Sequence, residues 1–128
     1  MIEAIVNKQR EFFESGKTLS VKTRLSYLKN LKSAIKQNEK KLADALYADL
    51  GKSPSEAYMS EIGMVLEDLT CHIKHLKGWT KRERRKSPLA QFPSKSYRLP
   101  SPYGNVLILS PWNYPLLLSF QPLIGAVG

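Results

Sequence analysis

Asn113 stands between Trp112 and Tyr114, and Pro111 and Pro115 flank that triplet. A carboxamide offers two N–H donors and one acceptor, and two neighbouring rings of fixed φ restrict the backbone that carries it. Such a group can stabilise an oxyanion, where one preorganised donor contributes about 2.7–4 kcal/mol in acyl-transfer sites. Asparagine is also a helix-capping residue, and Pro115 suits the first position of a helix. Both roles are open on residue type alone.

Two other clusters carry polar chemistry. Cys71, His72 and His75 offer soft and imidazole donors within about one helical turn, but zinc takes four ligands in a tetrahedron. Residues 71 and 72 diverge on a helix, so the cluster reads as a polar helix face and no metal is expected. Lys81-Arg82-Glu83-Arg84-Arg85-Lys86 is a basic run of the kind that touches phosphate or anionic lipid. It lacks interleaved aromatics, which favours a solvated linker and neither a nucleic-acid nor a membrane partner.

Positioning Asn113 falls to the elements around it. Val106-Leu107-Ile108-Leu109 is an unbroken aliphatic run, the pattern of a strand covered on both faces. The prolines stop it, and from Pro115 the apolar Leu116-Leu117-Leu118 reads as a helix start. Pro122 would remove one hydrogen bond from that helix or kink it. Strand, rigid turn and helix in this order place a ligand at the strand's carboxyl end.

Upstream, four helices are expected. Ile2, Ile5, Val6, Phe12 and Phe13 form a stripe over 2–15 that Gly16 ends. Ser20 caps a second helix with Val21, Leu25, Leu28, Leu31 and Ile35 on one face. Asn38 offers a break and a new cap before Leu42, Ala45, Leu46 and Leu50, and Gly51 fits a left-handed helix terminus. Ser53-Pro54-Ser55-Glu56 resembles a capping box for a helix carrying Tyr58, Ile62, Val65, Leu69, Ile73 and Leu76 to about Trp79. Tyr58 and Trp79 are expected as core or interface aromatics. Ser87–Pro93 is proline-broken, Lys95–Leu99 alternates as a strand does, and residues 100–104 make a turn.

With 128 residues and 42% hydrophobic composition, one soluble domain is the default. A net charge of +9 permits acidic partners without requiring them. The single cysteine fits a reducing compartment, and no signal-peptide pattern opens the chain, so a cytoplasmic setting is expected. Leu123-Ile124-Gly125-Ala126-Val127-Gly128 stays apolar to the last residue, which suggests a fragment.

Gly104-Asn105-Val106-Leu107-Ile108-Leu109-Ser110-Pro111-Trp112-Asn113-Tyr114-Pro115, followed by Gln121-Pro122-Leu123-Ile124-Gly125-Ala126, resembles the first motif of the aldehyde dehydrogenase superfamily. The tyrosine of Trp-Asn-Tyr-Pro and the Gln-Pro pair are most similar to its class 3 branch. Ala45–Lys52 and Glu56-Ala57-Tyr58 carry a weaker similarity.

The resemblance implies an α/β family fold of which this chain holds the opening. Residues 1–80 would be the N-terminal helical segment and 81–94 a linker. Residues 95–104 would give the first strand and turn of an oligomerisation hairpin, and 105–128 the start of the dinucleotide-binding domain, its first strand-turn-helix. It also implies oxidation of an aldehyde to a carboxylic acid through a cysteine thiohemiacetal, with NAD or NADP as cofactor and Asn113 as oxyanion donor. The positions matching Leu109, Ser110, Pro111 and Trp112 would line the cofactor slot. Tyr114, Leu118 and Gln121 would face the aldehyde, and positions i, i+4 and i+7 do share a helix face. A homo-oligomer, dimeric by preference, is implied for the complete enzyme.

The family's nucleophilic cysteine, general-base glutamate, ribose-holding lysine and glycine turn lie downstream of the matched motif, and Cys71 does not match the nucleophile. By itself the segment is therefore expected to be inactive and prone to self-association. The rival readings are a free-standing basic helical module for acidic or nucleic-acid partners, and an element pairing through the edge of Lys95–Leu99. The reading frame past Gly128 separates them.

Overall fold

A computed structural model describes residues 2–128 as six α-helices and a two-stranded antiparallel ribbon. Helix α1 (Ile2–Glu14) is followed by α2 (Val21–Gln37) and α3 (Glu39–Leu50). The short α4 (Pro54–Ala57) runs through a π-helical turn, Tyr58–Ile62, into α5 (Gly63–Trp79). Strands β1 (Glu83–Arg85) and β2 (Ser96–Arg98) follow, and α6 (Pro115–Val127) closes the chain.

Helix boundaries follow local chemistry. The Ser20 side chain accepts from the Thr23 N–H at 3.3 Å, and that of Ser53 from the Glu56 N–H at 3.2 Å. Each satisfies a first-turn amide that the helix leaves without a partner. Gly51 ends α3 at φ 68°, where its N–H reaches the Tyr47 carbonyl at 2.8 Å; this left-handed geometry is easiest for a residue without a Cβ. Asn38 does break the helix, but its side chain donates back to the Ala34 carbonyl and does not cap α3.

The core lies where α2, α5 and α6 meet. Leu28 and Ile35 from α2 join Val65, Leu66, Leu69 and Leu76 from α5, Leu116, Leu117 and Ile124 from α6, and Leu46 from α3. On α3 the stripe is narrower than expected: Ala45 and Leu50 face out, and Ala43 packs instead. Tyr58 and Trp79, expected as core or interface aromatics, are exposed and so lie outside the core of this chain. Trp79 is edged by His72 and stacked by His75. Helix α1 keeps its amphipathic spacing, yet none of its residues is buried.

Two readings of the C-terminal half are corrected. Residues 81–94, expected as a linker, contribute β1 to a ribbon in which Glu83 faces Arg98 and Arg85 faces Ser96. Part of the run's charge is answered within the ribbon itself. Glu83 pairs with Arg85 and with Arg98, and Arg82 lies over the Tyr97 ring at 4.1 Å. The expected strand Val106–Leu109, offered as the first strand of the cofactor domain, is absent: residues 105–111 form no ladder, and Leu107 and Leu109 are more than four-fifths exposed. A strand exists only against a neighbour, and among the described residues this run has none. Helix α6 begins at Pro115 as expected and continues through Pro122.

Among the described residues no helix is long and apolar enough to cross a membrane.

Candidate functional site at the head of the last helix

The turn Trp112-Asn113-Tyr114 leads into α6, with Tyr114 as its N-cap residue and Pro115 in its first turn. The Tyr114 side chain makes no cap hydrogen bond. Asn113 is not the cap either, and its side chain has no hydrogen bond among the described residues. The residue is exposed.

The cap comes from another helix. Glu61 Oε2 accepts from the Leu116 N–H at 2.8 Å and the Leu117 N–H at 3.1 Å, and the side chain is fully buried. Its other oxygen, Oε1, accepts from Lys52 Nζ at 2.6 Å. Lys52, 8% exposed, also donates to the Asn113 carbonyl at 3.3 Å and lies 3.9 Å from the Tyr114 ring centroid. A carboxylate at a helix N-terminus answers both its free amides and its positive dipole end. An ammonium over an aromatic face is attracted to the ring quadrupole. One buried ion pair therefore holds the turn from two sides.

The π turn brings Glu61 to this position. The Gly63 N–H donates to the Tyr58 carbonyl, five residues back. Within this wide turn the adjacent Glu61 and Ile62 are both buried. A Cβ at 63 would lie 2.8 Å from the Tyr58 carbonyl oxygen and 3.1 Å from its ring, so a larger residue there would force a shift.

The other sequence-expected residues are placed as follows. Leu109, Ser110, Pro111 and Trp112 form an exposed, irregular stretch leading to the turn, with Trp112 84% exposed. Ser110 Oγ and Ser119 Oγ are 2.9 Å apart, tying the stretch to the first turns of α6. Tyr114 and Leu118 lie one turn apart, the Leu118 N–H donating to the Tyr114 carbonyl at 3.0 Å. Leu118 leans partly on the core, and Gln121 is exposed. Asn113 and Tyr114 are thus brought together with the Lys52–Glu61 pair, while Gln121 stands two turns along.

Sequence reasoning missed Lys52 and Glu61. A signal was present: Glu61 lies three residues after Tyr58 and four before Val65, inside the apolar spacing of its helix. A carboxylate there must find a buried partner or distort the element. Cys71 and His75 meet at 3.6 Å between Sγ and Nδ1. Among the described residues no three side chains of His, Cys, Asp or Glu gather in a metal-holding group.

A family profile described as "Aldehyde dehydrogenase family" matches residues 1–127. The chain is 45% identical over 128 residues to the 4,4'-diaponeurosporen-aldehyde dehydrogenase of Staphylococcus aureus (strain NCTC 8325 / PS 47), covering all of this chain and 28% of that protein. It is 41% identical over 127 residues to aldehyde dehydrogenase family 3 member F1 of Arabidopsis thaliana, covering 99% of this chain and 26% of that one. A solved structure described as the substrate-bound state of Staphylococcus aureus AldH superposes with a TM-score of 0.96 at 45% identity, over 99% of this chain and 28% of that one. The chain thus spans about a quarter of the length of the curated relatives it matches.

Proposed function

The chain belongs to the aldehyde dehydrogenase family, and from that premise we propose that it is the amino-terminal part of an enzyme that oxidises an aldehyde to a carboxylic acid through a cysteine thiohemiacetal. Asn113 is the oxyanion donor in this reading. The observation that carries it is the division of labour at the turn: Lys52 fixes the Asn113 carbonyl, Glu61 caps the helix, and among the described residues no hydrogen bond engages the Asn113 side-chain amide. A preorganised donor with no competing partner among the described residues fits a developing negative charge.

The stretch from Leu109 to Trp112 is the proposed contact for NAD or NADP. Among the described residues no backbone–backbone hydrogen bond engages it, and the Leu109 and Trp112 side chains are open. Its carbonyls, amides and apolar side chains are therefore available to a ribose and a flat ring. The bound nicotinamide would accept the electrons lost by the aldehyde. Tyr114, Leu118 and Gln121 are the proposed aldehyde-side contacts, with Tyr114 held in place by Lys52 beneath its ring. The nucleophile and general base would come from the remainder of the complete enzyme. Assembly through the β1–β2 ribbon into a homodimer, and a cytoplasmic setting, complete the reading.

In the complete enzyme Asn113→Ala should lower turnover about 100–1,000-fold, with cofactor affinity nearly unchanged by fluorescence titration. Wild-type turnover in that variant would overturn the assignment.

A further inference from the structure

Lys52 and Glu61 are the two buried charged side chains among the described residues, and the reaction proposed above assigns neither of them a proton or an electron pair. Burying two ions is costly, and a pair like this is weak evidence for stability on its own. Its contacts suggest another use. Of its hydrogen bonds beyond the pair itself, those of Glu61 go to the first free amides of α6, and that of Lys52 goes to the carbonyl of Asn113.

The turn has few other anchors. Among the described residues no backbone–backbone hydrogen bond engages Asn113, and in the turn only the Tyr114 carbonyl is engaged, by Leu118. Removing the Lys52 cation would free the Asn113 peptide and the Tyr114 ring while leaving the helix cap in place. The Asn113 amide would then lose its fixed origin, although none of its own atoms had changed.

We propose that Lys52 and Glu61 are positioning residues that hold the Asn113 amide at the place where negative charge develops. Lys52 does so through the Asn113 carbonyl and the Tyr114 ring, and Glu61 through the head of α6. The proposal rests on Asn113 being the oxyanion donor. It adds that the donor's strength is set from the π turn and the segment after α3, elements that contribute no reacting atom. A displacement on the order of 1 Å at a reacting group can cost about 100-fold in rate, so a small slackening of the turn is enough.

The test is a double-mutant cycle in the complete enzyme, read as the single-turnover rate of reduced-cofactor formation at saturating aldehyde. Lys52→Met, which keeps length and loses the charge, should slow that rate roughly 10–100-fold, with cofactor affinity unchanged. Placed on Asn113→Ala, the same substitution should slow it by no more than about twofold, because positions that act through one group are not additive. Glu61→Gln, which keeps an acceptor oxygen for the α6 amides, should fall between wild type and Lys52→Met and show the same masking by Asn113→Ala.

A purely structural role would give the full Lys52→Met loss in both backgrounds, and that result overturns the proposal, as does an unchanged rate in the single variant. An Asn113→Ala enzyme with the wild-type rate removes the oxyanion reading itself, a different failure visible in a different arm. Should Lys52→Met not fold by thermal unfolding and gel filtration, Lys52→Arg replaces it. Arginine keeps the charge, but its donors sit on a wide planar fork that does not reproduce the compact ammonium shared by Glu61, the Asn113 carbonyl and the Tyr114 ring. Its loss must be masked by Asn113→Ala in the same way, or the proposal fails.

Discussion

Two neighbouring apolar stretches meet opposite fates. Leu116 and Leu117 are buried against α2 and α5, while Leu107 and Leu109, only a few residues earlier, lie open. Their side chains are alike, so hydrophobicity does not distinguish them. The difference is in the backbone: the α6 amides are satisfied by their own helix and by Glu61, whereas a strand at 106–109 requires hydrogen bonds from another strand. A helix brings its own backbone partners and needs only a surface to lean on. A central strand does not.

Breaking this contrast at its strongest point gives the largest effect. Glu61→Ala leaves Lys52 as an unpaired buried cation and exposes the α6 amides, and should destabilise the chain by about 3–5 kcal/mol. Denaturant unfolding measures the loss, and hydrogen exchange at Leu116 and Leu117 locates it. Unchanged protection there would mean that the carboxylate is not the cap. Gly63→Ala comes next, since its Cβ must displace the Tyr58 carbonyl or ring. A cost of about 1–3 kcal/mol is expected, typical of overpacking, with the same shift in denaturation midpoint as readout. Leu107→Ser should lie within about 0.5 kcal/mol of wild type in this chain, because the side chain is 81% exposed. A large loss at Leu107 would show that the open stretch is held after all.

The same contrast explains what could be read in advance. Ser20, Gly51, Ser53 and Pro115 act within a few residues of themselves, so their roles as caps, terminator and first-turn residue follow from local chemistry. The apolar stripe of α5 was visible in its spacing, as was the start of α6. The ribbon was half visible: alternation marked β2, but the charges of β1 hid a strand whose neutralising partners, Glu83 and Arg98, lie on opposite strands. At the site, Asn113 stood out by its setting between aromatics and prolines, yet its capping alternative was removed only by a carboxylate 52 positions away in sequence. No local pattern links Lys52 to Glu61 to Leu116. Three separate segments have to fold before that relation exists.

The π turn at Tyr58–Ile62 also bears on how this chain can change in length. Each residue advances a helix by about 100°, so deleting one residue here would relax the wide turn into ordinary helix and rotate Glu61 relative to the stripe that continues through Val65 and Leu69. The loop between β1 and β2, exposed along nearly all its length, can gain or lose residues without turning anything else. Sequence drift by insertion and deletion should therefore collect in that loop, and the residue count from Gly51 to Gly63 should behave as a fixed spacing.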